Sequence, residues 1–395
     1  MHDPSNGRRA ASAACAFAVF LMTAMAAGTQ AAAQSTTGIP PEAAGRSRTL
    51  IQAREAYRER INENVLFLMG GQLGAVYVAI AQDIAVVVDD GTNLRVLPVV
   101  SAGGVQNVHD LVFLRGVDLA LTNVQTLDHM KASGELGPNL DRQISYIAPL
   151  FPEEMQVLAR GTFQTLEDLR GKRVSYNARG SANALLAPKI MQALGIETVP
   201  FFMSQPDAIQ KMRAGELDAT ICMCPSPVPA FQAVKADWGL RLIEVPFAAP
   251  VQTTYLPASM SADLYPELIA KGTKLETIAS STVLISFNWP RGSARYLRTA
   301  KFVDYFFSRF GDLLKPPRHP LWRTVNFAAN IPGWQRFPAA QEWLDKSRTQ
   351  QTEQTEAAFR EFLRQRADRG GAAVEGEEKE RVFREFLESL QAARR

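Results

Sequence analysis

The stretch VLFLMGGQLGAVYVAIAQDIAVVV, residues 65–88, decides how the rest of the chain is read. Val65 to Met69 is an apolar run of strand length, Gly70 and Gly71 close it, and from about Gly74 to Val88 the apolar residues recur with helical spacing. Working outward, the next unit predicts a strand over 94–100, a turn at Ser101-Ala102-Gly103-Gly104, a helix over 105–115 and a strand over 116–121. Strands that alternate with helices imply a parallel sheet.

The pattern returns further on. A strand is predicted over 173–176, a turn at Asn177-Ala178-Arg179-Gly180-Ser181, and a helix over 182–194 ended by Gly195. A strand over 199–203, a helix over 205–213 and a strand over 217–223 follow. RGVDLALT (115–122) and RAGELDATI (213–221) share one device: a helix end, a glycine, one or two residues, an aspartate and a buried strand. The glycine suits a helix C-terminal turn of positive φ. The aspartate suits a corner where backbone N–H groups need an acceptor. The expected fold is α/β with two related lobes, the first from residues 61–148 and 253–349 and the second from 149–252. The crossings are expected where strands lead into proline-containing segments, at 144–151 beside Pro149 and Pro152, and at 242–254 with Pro246 and Pro250.

The ends of the chain are different in character. Arg8 and Arg9 precede an apolar run from Ala10 to about Gly28 that closes on Ala31-Ala32-Ala33, the order of a secretory signal. Residues 1–33 are therefore expected to be removed and the mature protein to be periplasmic. The run is rich in alanine and short of the length a membrane span prefers. Residues 34–60 read as a polar arm. From Gln350 the chain is charged, and Phe359-Arg360-Glu361-Phe362-Leu363 reappears as Phe383-Arg384-Glu385-Phe386-Leu387. Each copy makes an amphipathic stripe, so 350–395 is expected to be a helical hairpin or a frayed tail, packed on the body or presented to a partner.

A net charge of +3 lacks the concentrated basic surface that a nucleic-acid partner requires. Cys15 leaves with the signal. Cys222 and Cys224 lie on one face of a strand, and a bridge between residues this close closes a strained ring, so they are expected as reduced core thiols. His109, His129 and His319 show no metal-ligand spacing, and neither a metal nor a cofactor is expected.

Three glycine-bearing turns open helices: Gly70-Gly71-Gln72-Leu73-Gly74, Ser101-Ala102-Gly103-Gly104 and Arg179-Gly180-Ser181-Ala182. Such a turn exposes unpaired backbone N–H groups at the positive end of the helix dipole, where anions bind. Taken singly each is an ordinary turn. As a set at strand ends in two lobes they point to one ligand site. No Gly-Lys-Ser or Gly-Lys-Thr follows the first, and the full dinucleotide spacing is missing, which disfavours nucleotides.

MGGQLGAVY, then VVSAGGVQNVHDLVFLRGVDLALTN, LEDLRGKRVSYNARGSANALLAPKIMQALGI and MRAGELDATIC, together resemble the TAXI family of TRAP-transporter solute receptors over roughly residues 64–245. The resemblance implies a two-lobed, type II periplasmic binding protein, here with a C-terminal helical extension, and a TRAP permease as partner. It places ligand contacts at Gly71, Gln72, Leu73, Gly74 and Tyr77 in the first loop, and at Ser101, Gly103, Gly104 and Asn107 in the second. Asn123 and Gln125 follow as amide contacts, and Gly180, Ser181 and Asn183 face them from the other lobe. The chain departs from the family at Val78, where a second tyrosine is common, at Gln125, near which an acid is common, and at Ala182-Asn183, where Gly-Thr is common. Arg179 suits a bidentate bond to a carboxylate, or equally a solvated surface position.

The leading functional expectation is a receptor that captures a small carboxylate or amino acid and delivers it to the permease. A periplasmic sensor subunit is the second reading. An enzyme on the same fold is the third, and the sequence offers no Ser-His or Cys-His pair in a convincing turn context.

Overall fold

The computed structural model describes residues 41–368 and 376–393; the expected signal segment and Gly370-Gly371 lie outside the described residues. Helix α1, Pro41–Glu63, is charged along its length. Of the described residues, 41–54 belong to one unit and those from Glu55 onward to a second, and every strand among them belongs to the second.

The first lobe is built by β1 (Val65–Met69), α2 (Val76–Val88), β2 (Arg95–Val99), α3 (Gly104–Phe113), β3 (Val117–Asn123), α4 (Val124–Ser133) and the short α5 (Leu140–Gln143). A long strand, β4 (Ile144–Arg160), carries the chain into the second lobe. That lobe holds β5 (Arg173–Ser175), α6 (Ala182–Ala193), β6 (Val199–Phe201), α7 (Gln205–Arg213), β7 (Ala219–Cys224), α8 (Pro229–Gln232), β8 (Leu240–Ile243), α9 (Ala249–Gln252) and β9 (Leu256–Ser261). Strand β10 (Lys274–Phe287) returns to the first lobe, which α10 (Ala294–Ser308) and α11 (Phe310–Leu313) cover. Two long helices end the chain, α12 (Pro338–Asp368) and α13 (Glu377–Ala393).

The strand order is β2-β1-β3-β10-β4-β7-β5-β6, with β8 on β4 and β9 on β10. Within each lobe the strands β1 to β3 and β5 to β7 pair in parallel, whereas β4 and β10 run antiparallel to their neighbours and to each other. This is a two-lobed α/β architecture with two crossover strands, the arrangement the motif resemblance implies. Each lobe buries both faces of its sheet, as parallel sheets do. On β3, Leu119 and Leu121 join the cluster under α2 and α10 while Val117 and Ala120 join the one under α3 and α4. On β4, Val157 and Leu158 divide the same way in the second lobe.

The two crossover strands pair side by side, and their ladder slips between Ser281 and Val283. The cause is local. Pro149 pairs with Val283 and Pro152 with Ser281, and neither proline has an N–H to give, so β4 bulges there, with Leu150 and Phe151 together opposite Thr282.

The return to the first lobe comes later than the sequence pattern suggests. Tyr255, Met260, Tyr265, Ile269 and Ile278 all pack in the cores of the second lobe, and β10 itself is the crossing. The Pro246 and Pro250 segment is a loop between β8 and α9. It reads as a crossing because proline marks irregular backbone without saying which core the flanking residues join.

The two corner aspartates accept backbone N–H groups: Asp118 from Phe67 of β1 at 3.2 Å and Asp218 from Arg173 of β5 at 2.9 Å. Their electrostatics differ. Asp218 also takes two bonds from the Arg173 guanidinium, which hold its carboxyl below the usual range, whereas burial pushes Asp118 up. A depressed carboxyl contributes stability above its unfolded pKa of about 4 and loses it as pH falls through its folded value. We therefore expect Asp218→Asn to cost about 2 kcal/mol in urea unfolding at pH 7. The cost should shrink on acidification below pH ~4. Asp118→Asn, whose amide oxygen can still accept from Phe67, should cost nothing measurable by the same assay.

The repeated pentapeptide explains the last two helices. Phe359, Val382 and Phe386 form a small core with Phe362, Leu363, Phe383 and Leu387 around it, and the Phe359 ring meets that of Phe383 edge-on at 4.8 Å.

Candidate functional site

A cavity of about 370 Å³ lies between the lobes. The first turns of four helices reach it: α2 and α3 from the first lobe, through Gly74 to Tyr77 and Gly103-Gly104, and α6 and α7 from the second, through Ser181 to Asn183 and Ser204 to Pro206. Each helix follows the C-terminal end of a strand in its own lobe's sheet, where βα turns converge.

Of the residues expected at the site, Gly71, Gln72, Leu73, Gly74, Tyr77, Gly103, Gly104, Ser181 and Asn183 line this cavity. Six do not. Ser101 and Asn107 are turned inward. Asn107 Nδ2 donates to Gly70 O and Leu121 O, both at 2.6 Å, while its Oδ1 accepts from Ser101 Oγ at 2.6 Å. Asn107 thus ties together the ends of the three parallel strands of the first lobe, and its Nδ2 has no proton left for a ligand. Asn123 caps α4, accepting from Thr126 N–H. Gln125 donates to Thr254 O at 2.8 Å and accepts from Ser280 Oγ. The exposed Arg179 lies 4.0 Å over the Phe202 ring, a cation–π contact. Gly180 faces Ala102 of the opposite lobe.

The lobes are shut. Gln106 N–H donates to Gly180 O at 3.0 Å, Gln72 Nε2 reaches Asn177 Oδ1 at 3.5 Å, and Gln125 bonds Thr254 across the seam. Glycines permit this approach: a Cβ on Gly103 would meet Ser181 Cα at 3.2 Å, and one on Gly180 would meet Ala102 Cβ at 3.0 Å.

Sequence reasoning missed the most unusual member of the lining. Glu153, on β4, is 1 % exposed and is, among the described residues, the single charged side chain of the cavity wall. Its Oε1 accepts from Tyr77 Oη and from Thr282 Oγ1 at 2.8 Å, and its Oε2 accepts from Asn123 Nδ2 at 2.9 Å. Burial pushes the carboxyl up, and the three donors oppose that shift. Burial likewise raises the Tyr77 hydroxyl well above its ordinary range, and the nearby Glu153 adds to the effect. The available signal was a pair of acids, Glu153-Glu154, in an otherwise apolar crossover.

The second-lobe wall was missed as well. It is apolar, from Met223 through Pro225 to Val228, Pro229 and Ala230. Cys222 and Cys224 lie on it and are joined in a disulfide, with Cα atoms 5.3 Å apart. The expectation of reduced thiols is corrected: the same-face spacing on β7 brings the two Cα atoms within the span a disulfide bridges. Asn183 Nδ2 approaches both sulfurs, at 3.8 and 3.6 Å, and its Oδ1 accepts from Met223 N–H. Among the described residues, no cluster of metal-binding side chains occurs and no helix is long and apolar enough to cross a membrane.

Residues 68–287 match the profile of the NMT1-like family, more than half of the chain. The chain belongs to the NMT1-like family. The NMT1-like segment begins in β1 and ends with the last residue of β10, so it holds the second lobe, both crossovers and most of the first-lobe sheet, but none of α1 and α10 to α13. No curated protein matches the chain. Among solved structures the chain is similar to a periplasmic transporter at 12 % identity and a TM-score of 0.42, covering 63 % of this chain and 84 % of that one. It is similar to the periplasmic aliphatic sulphonate binding protein of Escherichia coli at 14 % and 0.36, covering 71 % and 78 %. A substrate binding protein of an ABC uptake transporter from Streptococcus pneumoniae, with bound histidine, stands at 12 % and 0.40, covering 66 % and 91 %.

Proposed function

We propose that this protein is a periplasmic solute-binding receptor that captures a small organic anion or amino acid between its lobes and delivers it to a TRAP-type membrane permease. The observation that carries the reading is the convergence of four helix N-termini, two from each lobe, on one interlobe cavity whose wall contains no Lys, Arg or His among the described residues. The aligned helix dipoles, with the first-turn N–H groups that the caps and lobe contacts do not take, favour a negative group there without a basic side chain. Because the donors belong to both lobes, the ligand stabilises the shut form over the open one, and a permease can distinguish the two shapes. The basic, apolar and small-residue order of residues 8–33 supports export, and the TRAP partner follows from the motif resemblance.

Thermal denaturation of the mature protein against a panel of organic acids and amino acids tests this reading. A bound ligand at a hundredfold excess over its Kd adds about 2.7 kcal/mol to stability, an easily read rise in Tm. No rise with any member, together with no small molecule retained in native mass spectrometry of freshly purified protein, would count decisively against a receptor.

A further inference from the structure

Glu153 poses a physical problem that its protein partners leave unsolved. Its carboxylate is buried to 1 % exposure, and its partners Tyr77, Thr282 and Asn123 are neutral donors. Among the described residues no Lys, Arg or His makes an ion pair with it. A buried charge ordinarily has a counter-charge. Two carboxylate oxygens offer about four acceptor positions, and three bonds leave one open on a side chain that lines the cavity. Thr282, opposite the β4 bulge, sets a hydroxyl on the same carboxylate, so the position is built, with supports from α2, β3 and β10.

The remaining wall completes a description of the ligand. The helix N-termini suit a carboxylate, and the Met223, Pro225, Val228 and Pro229 side suits an apolar group. We infer that the ligand is an α-amino acid with an apolar side chain, and that Glu153 is the specificity-determining residue that takes its ammonium group. This rests on the receptor reading and narrows it: a dicarboxylate would set an anion against Glu153, and a deaminated acid would leave that carboxylate without a counter-charge.

The test is titration calorimetry of the mature protein with L-leucine, L-methionine and L-phenylalanine, with the deaminated acids 4-methylpentanoate and 3-phenylpropanoate, and with L-glutamate. For the wild type we expect at least one apolar amino acid to bind about a hundredfold more tightly than its deaminated counterpart, the size expected when a buried charge pair loses one member. Glu153→Gln, verified by its melting curve, should reduce that preference to less than about tenfold. Equal or tighter binding of the deaminated acids by the wild type would overturn the role of Glu153 while leaving a receptor intact, and needs no variant to be read. Tightest binding of L-glutamate would overturn the apolar side chain. Binding of none of them, with no small molecule copurifying, would overturn the receptor reading itself.

Discussion

Replacing Gly103 with alanine is expected to lower ligand affinity at least tenfold, and replacing it with valine to abolish measurable binding. Gly103 caps α3 at φ 127° and ψ −162°, a region that residues with a side chain rarely enter and that costs them about 1–3 kcal/mol. That strain alone destabilises the first lobe without choosing between open and shut forms. The choice comes from the added Cβ, which would stand 3.2 Å from Ser181 Cα and 3.4 Å from its Cβ. These are atoms of the opposite lobe, held at the N-cap of α6 by the Ser181 bond to Ala184 N–H, and backbone there cannot swing aside as a flexible side chain would. The penalty therefore falls on the shut form, and each 1.4 kcal/mol of it is about tenfold in affinity. Gly116→Ala is the control. Gly116 also has a positive φ, 96°, but a Cβ added there would find nothing within 4 Å, so the variant should lose stability and keep affinity. Calorimetry and melting curves on both proteins separate the two effects; unchanged affinity in Gly103→Ala would show that the lobes do not close against this glycine.

The second large effect is expected at Asn107. Asn107→Ala removes the donor to two buried carbonyls, Gly70 O and Leu121 O, and the acceptor for Ser101 Oγ. Each buried polar group left unpaired costs about 1–3 kcal/mol, so the loss in urea unfolding should be about 3 kcal/mol or more. Asn107→Asp should do no better, because it sets a carboxylate oxygen against the two carbonyls. Because Gly70 and Ser101 border the turns that open α2 and α3, ligand affinity should fall with stability, and hydrogen exchange should rise first in residues 70–75 and 101–104. A loss below about 1 kcal/mol would mean that water replaces the amide at little cost.

What could be read from the sequence divides along a physical line. The glycine turns, the corner aspartates and the twin α/β halves rest on spacing within about twenty residues, where backbone geometry dictates residue type. Asp118 and Asp218 accept the corner N–H groups their position suggested. The direction in which a polar side chain points is not a local property. Asn107 and Asn123 have the chemistry of ligand contacts, yet both are spent on backbone and buried partners, and nothing near them in the sequence could have told the two uses apart. Glu153 is the converse. Its surroundings come from Tyr77, Asn123 and Thr282, the last 129 residues away and brought beside it by the pairing of β10 with β4. The second crossing was misplaced for a related reason: only the packing of Tyr255 to Ile278 shows which lobe those residues belong to.

The central claim is that both lobes grip one ligand in the cavity between α2, α3, α6 and α7. A crystal structure of the mature protein with its copurified ligand tests it most directly. We expect ligand density in that cavity, with an anionic end against the first turns of these helices and contacts to residues of both lobes. Density elsewhere on the molecule, or a ligand touching one lobe alone, would contradict it.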